Sequence, residues 1–131
     1  MSFDMLTIEI PFPPSVNHYW RHVLIGRSVR SMISAKGRAY AKDVCKAVMA
    51  QGAARGISKP CRVTVTLFPP DRRRRDADNH GKATLDSLVN AGVIVDDGCS
   101  VVRSVTLCWG DVVKGGRAVV RIDEAEAGGD Q

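Results

Sequence analysis

No stretch of the chain is apolar for long enough to cross a bilayer, and its start shows no charged segment followed by the apolar core of an export signal. Both absences point to a cytoplasmic protein with no membrane partner. The four cysteines, at 45, 61, 99 and 108, include no C-x-x-C pair, and no histidine pair accompanies them at zinc spacing. A zinc site is therefore not expected, and the thiols read as reduced and mostly buried. A glycine-rich phosphate cradle is missing, which argues against a phosphatase acting on a metal-bound nucleotide. Nothing calls for an organic cofactor. There is no internal repeat and no low-complexity domain, so the 131 residues suggest one domain.

What the chain does have is an ordinary apolar share and a mild basic excess. The hydrophobic fraction of 44% supports a single modest core. The net charge of +5 permits nucleic-acid binding. Part of that excess is concentrated in one place, and the position says more than the total.

That place is the segment from Pro69 to Asp97, PPDRRRRDADNHGKATLDSLVNAGVIVDD. Arg72, Arg73, Arg74 and Arg75 run directly into Asp76 and Asp78. Asn79 stands beside them, and Lys82 comes four residues after Asp78. Asp96 and Asp97 close a short apolar run, Val93-Ile94-Val95. Carboxylate oxygens are preferred ligands of hard divalent ions such as magnesium and manganese. A magnesium site commonly takes one or two protein carboxylates and fills the rest with water and phosphate oxygens. Two aspartates two apart point the same way if the chain is extended there. A third carboxylate from the end of another strand then closes the site. Arginines add little to an isolated metal site; they suit a ligand that brings phosphates. The local pattern points to a metal-dependent site for a phosphodiester.

Plainer readings of the same residues compete. A run of charge after Pro69-Pro70 reads as a solvated loop. Asp78 reads equally as a helix N-cap, and Asp96-Asp97-Gly98 as a turn. A calcium EF-hand is rejected. Asp76, Asp78 and Gly81 match its first, third and sixth positions, but His80 and Ser87 stand where oxygen ligands belong.

The rest of the chain alternates strands and helices. Leu6 to Ile10 alternates as a strand ended by Pro11, Pro13 and Pro14. From Tyr19 to Ile33 the chain is basic, and Gly26-Arg27 suits a hairpin turn or a mobile loop. Tyr19 and Trp20 are read as packing on the core in preference to stacking on a base. Ser34 is a plain N-cap for a helix to about Met49, with Tyr40, Val44, Ala47 and Val48 on its apolar face. Cys61 to Phe68 alternates as a strand. Asn79 to Asn90 is read as a helix with Leu85, Leu88 and Val89 buried and Gly92 as its stop. If that helix starts at Asp78, then Asp78, Lys82 and Asp86 form one row, and Lys82 is held near the carboxylates. An ordinary Lys82–Asp86 ion pair explains the same spacing. Ser100 to Trp109 and Arg117 to Ile122 read as strands joined by a turn at Lys114-Gly115-Gly116. Residues 124–131 read as a flexible acidic tail after a domain of residues 1–123. The sum is an α+β single domain, a mixed β-sheet packed against two main helices.

DRRRRDADN with Lys82, Asp86, Leu88, Gly92 and Asp96-Asp97 resembles the signature of the RusA family of Holliday junction resolvases. Pro13-Pro14-Ser15-Val16-Asn17-His18-Tyr19 resembles that family's N-terminal PPSxNxxY segment. Ser34 to Tyr40 resembles the stretch that opens its first long helix. The similarity spans most of the chain in the right order. It implies a RusA-like fold, a homodimer, and a nuclease for DNA recombination and repair that makes paired nicks with 5′-phosphate and 3′-hydroxyl ends. It implies Asp76, Asp78 and Asp97 as ligands of magnesium, with manganese as a substitute. Lys82 would meet the scissile phosphate, and Arg72 to Arg75 would hold the neighbouring backbone. Asp96, Asp86 and Asn79 rank second. A two-fold dimer suits a four-way DNA junction, which must be cut at two symmetric points. A different branched-DNA or flap nuclease, or a non-catalytic binder of branched DNA, are the competing functions. The chain departs from the family at His80-Gly81, where bulkier residues are usual. It also has three residues, Gly98 to Ser100, between the aspartate pair and the next valine.

Overall fold

The computed structural model describes residues 5–15, 20–25 and 28–126, with the backbone alone for 20–25 and 28–32. The elements run in chain order as β1 (Leu6–Ile10), β2 (Trp20–Ile25), β3 (Ser28–Ile33), α1 (Ala35–Ala50), β4 (Cys61–Phe68), α2 (Asp78–Asn90), β5 (Val102–Trp109) and β6 (Arg117–Glu124). Four strands form one sheet in the order β1-β6-β4-β5. Strand β6 runs antiparallel to both β1 and β4, while β4 and β5 are parallel. A parallel neighbour cannot be reached by a tight turn, so the chain crosses over between β4 and β5. Helix α2 is that crossover. The mixed sheet with two helices is the α+β single domain expected. Strands β2 and β3 pair apart from it as an antiparallel hairpin, which decides for the hairpin over the loop. Tyr19, the side chain of Trp20, the turn at Gly26-Arg27 and the tail beyond residue 126 lie outside the described residues.

The alternation read in the sequence is what builds the sheet. Leu6, Ile8 and Ile10 of β1, Val63, Val65 and Leu67 of β4, and Val120 and Ile122 of β6 share one buried core. Their neighbours, such as Arg62 and Arg121, take the opposite and more open face. Val44 and Val48 of α1 and Leu88 of α2 close the core from the helix side. Each such side chain contributes about 1.5–3 kcal/mol by leaving water. Ser34 caps α1, its Oγ accepting from the Gly37 N–H at 3.0 Å. At the far end Gln51 finishes the open edge of β1: its Oε1 accepts from the Glu9 N–H and its Nε2 donates to the Glu9 carbonyl, at 2.9 and 2.7 Å. An amide side chain there does the work of an extra strand residue.

Helix α2 buries a different face from the one expected. Gly81, Ala83, Thr84, Ser87 and Leu88 are buried, while Leu85 and Val89 are only partly covered. The reason is proximity. A Cβ on Gly81 would stand 3.1 Å from Leu107 Cδ1 of β5, so the helix lies on the sheet through its small residues. The glycine that weakens the first helical turn, by roughly 0.5–1 kcal/mol against alanine, is what permits the approach.

Three further expectations change. Strand β5 starts at Val102, because the Val101 and Val102 N–H groups both turn back to the Gly98 carbonyl. Of the four free cysteines only Cys61 is buried, Cys45 is partly so, and Cys99 and Cys108 are exposed, on the turn and on the open face of β5. Ala125 donates its N–H to the Pro60 carbonyl at 2.8 Å, so backbone pairing continues past residue 124.

Candidate active site

The arginine run leaves β4 through Pro69-Pro70 and is folded by a residue the sequence reading passed over. Asp71 Oδ1 accepts the Arg73 backbone N–H at 3.0 Å and takes an Arg75 guanidinium nitrogen at 2.9 Å. Arg75 also donates to the carbonyls of Asp71 and Arg73, both at 3.2 Å. Its guanidinium lies over the Phe12 ring, 5.5 Å from the centroid. The Arg75 side chain is 14% exposed, against 77% for Arg73 and 93% for Arg74. Arg75 is therefore a structural clamp, and Arg72, Arg73 and Arg74 form an open cationic rim. The hydrogen bond from Arg75, followed by that from the Arg73 amide, holds the Asp71 carboxyl below the usual carboxylate range.

The next turn carries Asp76 and Asp78. Ala77 between them is helical, at φ −59° and ψ −40°. The extended-chain rule therefore does not apply, and alternation does not put the two carboxylates on one side. Asp78 is the first residue of α2, and the residue that caps the helix is Ala77, with no side-chain cap bond. The N-cap explanation of Asp78 falls away. Asp76 makes only an open ion pair with Arg74 at 3.9 Å.

Because α2 begins at Asp78, the residues Asp78, Lys82 and Asp86 do form one row. Lys82 Nζ lies 3.6 Å from Asp86 Oδ2, an ion pair too long for a hydrogen bond. Asp86 Oδ2 is buried and accepts no hydrogen bond. Burial raises the Asp86 carboxyl above its ordinary value; Lys82 opposes that, and the charge of Asp97 adds to it. Asp97 thus approaches this face from a separate segment. That segment is no strand at Asp97. Ile94 makes a single parallel bridge to Ile57, and the chain then turns. Asp96 and Asp97 part company at the turn, the Asp96 carboxylate folding back over Gly98, where a Cβ would stand 2.8 Å from Oδ2.

The N-terminal proline segment is fastened to the same place. His80 is buried and its Nδ1–H donates to the Pro13 carbonyl at 2.9 Å. Its ring packs on Phe12 and edge-on to Trp109, with centroids 5.0 and 6.0 Å apart. Burial pushes the His80 pKa down. Tyr40 donates from α1 to the Pro11 carbonyl at 2.7 Å. Between these parts opens a cavity of about 630 Å³, lined by Ser15, Lys36, Arg73, Arg74, Asp76 and Asn79 among others. Two elements of the sequence signature, the proline segment and the arginine run, therefore share one cleft.

The predicted residues divide as follows. Arg73, Arg74, Asp76 and Asn79 meet at this cleft. Lys82 and Asp86 pair on α2, and the charge of Asp97 acts on the Asp86 carboxyl. Among the described residues no three histidine, cysteine, aspartate or glutamate side chains stand together as a ready metal group. The donor set still suits a hard divalent ion. All its ligand atoms are carboxylate oxygens, and an unbonded Asp86 oxygen faces Lys82 beside a second negative charge.

The sequence matches the model of the family described as Endodeoxyribonuclease RusA over residues 11–123. It is 38% identical over 117 residues to the crossover junction endodeoxyribonuclease of Enterobacteria phage 82, covering 89% of this chain and 92% of that one. To the crossover junction endodeoxyribonuclease of Escherichia coli K12 it is 37% identical over 118 residues, covering 90% and 93%. The Shigella sonnei protein of the same description is 38% identical over 118 residues, with the same coverage.

Proposed function

The chain belongs to the RusA family of crossover junction endodeoxyribonucleases, and we propose that it resolves Holliday junctions with the carboxylates of Asp76, Asp78 and Asp97 beneath a rim of arginines. The observation that most supports this use of the residues is the influence of Asp97 on Asp86, in the row that carries Lys82. Two distant segments bring negative charge to one basic surface. DNA phosphates repel such an arrangement unless a cation stands between.

Asp76, Asp78 and Asp97 are the residues that would hold magnesium, or manganese as a substitute. A bound ion would supply charge to stabilise the scissile phosphate and lower the pKa of an attacking water. The chain's own part is positioning. Arg72, Arg73 and Arg74 neutralise and orient the backbone. Arg75 and Asp71 keep the rim in shape, and His80 keeps the proline segment against it. Lys82 faces the phosphate or leaving oxygen and offsets the charge of Asp86. Phosphodiester hydrolysis needs little covalent chemistry from the protein, so electrostatics and orientation carry most of the rate. The products are nicks with 5′-phosphate and 3′-hydroxyl ends.

The working unit in this reading is a homodimer, because the junction is two-fold symmetric and requires two cuts. Strand β5 ends the sheet with Val105 and Trp109 exposed, an edge that offers a second copy a place to pair. No helix of the described residues is long and apolar enough to cross a membrane. Action in the bacterial cytoplasm, on host or prophage DNA, fits relatives from a phage and from bacteria.

The deciding experiment incubates the purified chain with a synthetic four-way junction, a flap and a plain duplex, with and without magnesium, and maps the nicks. Paired symmetric cuts in the junction alone, dependent on magnesium, are expected. Preferential flap cleavage would replace the resolvase reading with that of a flap nuclease. Asp78→Asn should keep junction binding and lose cleavage by orders of magnitude; undiminished cleavage ends the metal assignment.

A further inference from the structure

Beyond the arginine rim, a second basic surface lies further along α2, toward its C-terminal end. Helices α1 and α2 run past each other and leave a cavity of about 480 Å³ between them, lined by Ile33, Arg38, Ala41, Lys42, Lys82, Asp86 and Asn90. Arg38 and Lys42 are four apart on α1. Lys82, Asp86 and Asn90 are four apart on α2. Such spacing stacks each set along one helical face, so two rows look at each other across the groove. Asn90 meets Cys45 at one end, its Nδ2 donating to Sγ at 3.6 Å.

Among the described residues the charges in this groove do not balance. Three cations, Arg38, Lys42 and Lys82, face one carboxylate, Asp86. Lys82 is the cation paired with Asp86. Arg38 donates to the Ile33 carbonyl at 2.9 Å, and among the described residues neither Arg38 nor Lys42 pairs with a carboxylate. Two adjacent cations on an exposed helix repel unless an anion lies near. One terminal guanidinium nitrogen of Arg38 is held by the Ile33 carbonyl, which leaves its remaining donors for the groove. The cavity is also continuous in function with the row that carries Lys82, because Lys82 and Asp86 form its far wall.

We infer that this groove is a second phosphate-binding site, in which Arg38 and Lys42 of α1 hold the DNA backbone further along α2, away from Arg72–Arg74. The cut strand then passes between two basic banks, with the carboxylates between them. A single rim fixes a strand at one end and lets it pivot; two banks fix its direction, which is what in-line attack on a phosphate requires. The inference rests on the DNA-cleaving reading above and extends it to residues to which the resemblance assigns no role.

The test measures affinity for a synthetic four-way junction in EDTA, where cleavage is blocked, as a function of salt. The variants are R38Q/K42Q, K42Q alone, the rim pair R72Q/R73Q, and a control R62Q/R121Q on the open sheet face. K42Q breaks no side-chain hydrogen bond or ion pair among the described residues, so it tests the site even if the double variant folds poorly, as a thermal melt would show. R38Q/K42Q should bind about tenfold or more weakly at fixed salt. Its log–log salt slope should flatten by roughly two, since each phosphate contact carries a slope near −0.9. K42Q should flatten it by roughly one. The control should keep nearly the wild-type slope. If R38Q/K42Q and K42Q match the control while R72Q/R73Q still loses affinity, the second site is wrong and the DNA reading stands. If the wild-type chain shows no preference for the junction over duplex, and no variant alters its salt slope, both fall together.

Discussion

Asp71 holds Arg75 with the same carboxylate oxygen that accepts the Arg73 amide, at 2.9 and 3.0 Å. One short acidic side chain thereby sorts four consecutive arginines into a clamp and a rim. Arg75 turns inward onto Phe12, and its three neighbours stay in solvent.

The first prediction follows from that division. Arg75→Gln should lower the thermal midpoint, because it removes the mostly covered guanidinium that Asp71 and Phe12 hold. Arg72→Gln should leave stability unchanged and flatten the salt dependence of junction binding by about one contact. Thermal melts and salt titrations on the two variants separate the roles. Equal behaviour of both would show that the clamp and the rim are not distinct.

Asp71 gives a prediction in pH. Its carboxyl is held below the ordinary value, chiefly by the Arg75 hydrogen bond. A depressed folded-state pKa stabilises the folded protein above the unfolded carboxyl value, near 3.9. That contribution fades as pH falls through the lower folded value. Carboxyl titration by NMR should place Asp71 below the ordinary carboxylate range. In Arg75→Gln the Asp71 value should move up toward the ordinary range; an unchanged value would remove Arg75 as the cause.

Asp97 and Asp86 provide a third test. Asp97 adds to the upward shift of the Asp86 carboxyl. Asp97→Asn should therefore bring Asp86 down toward the ordinary carboxylate value when no divalent ion is present. The same variant should lose cleavage by roughly a hundredfold or more, the scale on which a positioned charged group acts at a reacting centre. An Asp86 titration indifferent to Asp97 would separate the two segments.

Gly81 provides a fourth. A methyl group there meets Leu107 Cδ1 at 3.1 Å, the end of a flexible side chain that gives way by a few tenths of an ångström. Gly81→Ala gains roughly 0.5–1 kcal/mol of helix propensity and spends most of it on that adjustment, so denaturant melts should show little change. Gly81→Leu cannot be absorbed and should cost about 2 kcal/mol or more, as overpacked cores do. A stable Gly81→Leu would mean that α2 lies further from β5 than described.

The acidic and basic residues of the site are adjacent in the chain, which is why they could be read there. Asp76, Asp78 and the arginines stand within one turn, and the row Asp78-Lys82-Asp86 needs only a helix that starts at Asp78. The parts that escaped depend on contacts distant in sequence. Nothing near Asp71 announces that it will fold the arginine run, because short charged side chains in loops take many partners. Nothing near His80 announces Pro13, 67 residues away. The buried face of α2 was misjudged because hydrophobic spacing favours Leu85 and Val89, whereas close packing on Leu107 selects the small residues.

By itself the sequence determined β1, β4, most of β5 and β6, the two helices, the capping of α1 and the identity of the chemical groups, because these follow from side-chain periodicity and local backbone preference. Tertiary structure alone decided which arginine is internal, that His80 fastens Pro13, and that Arg38 and Lys42 lie across a groove from Lys82. Those relations join residues tens of positions apart. They are set by where the β4-α2-β5 crossover lays one helix against another, and no local pattern of residues encodes that distance.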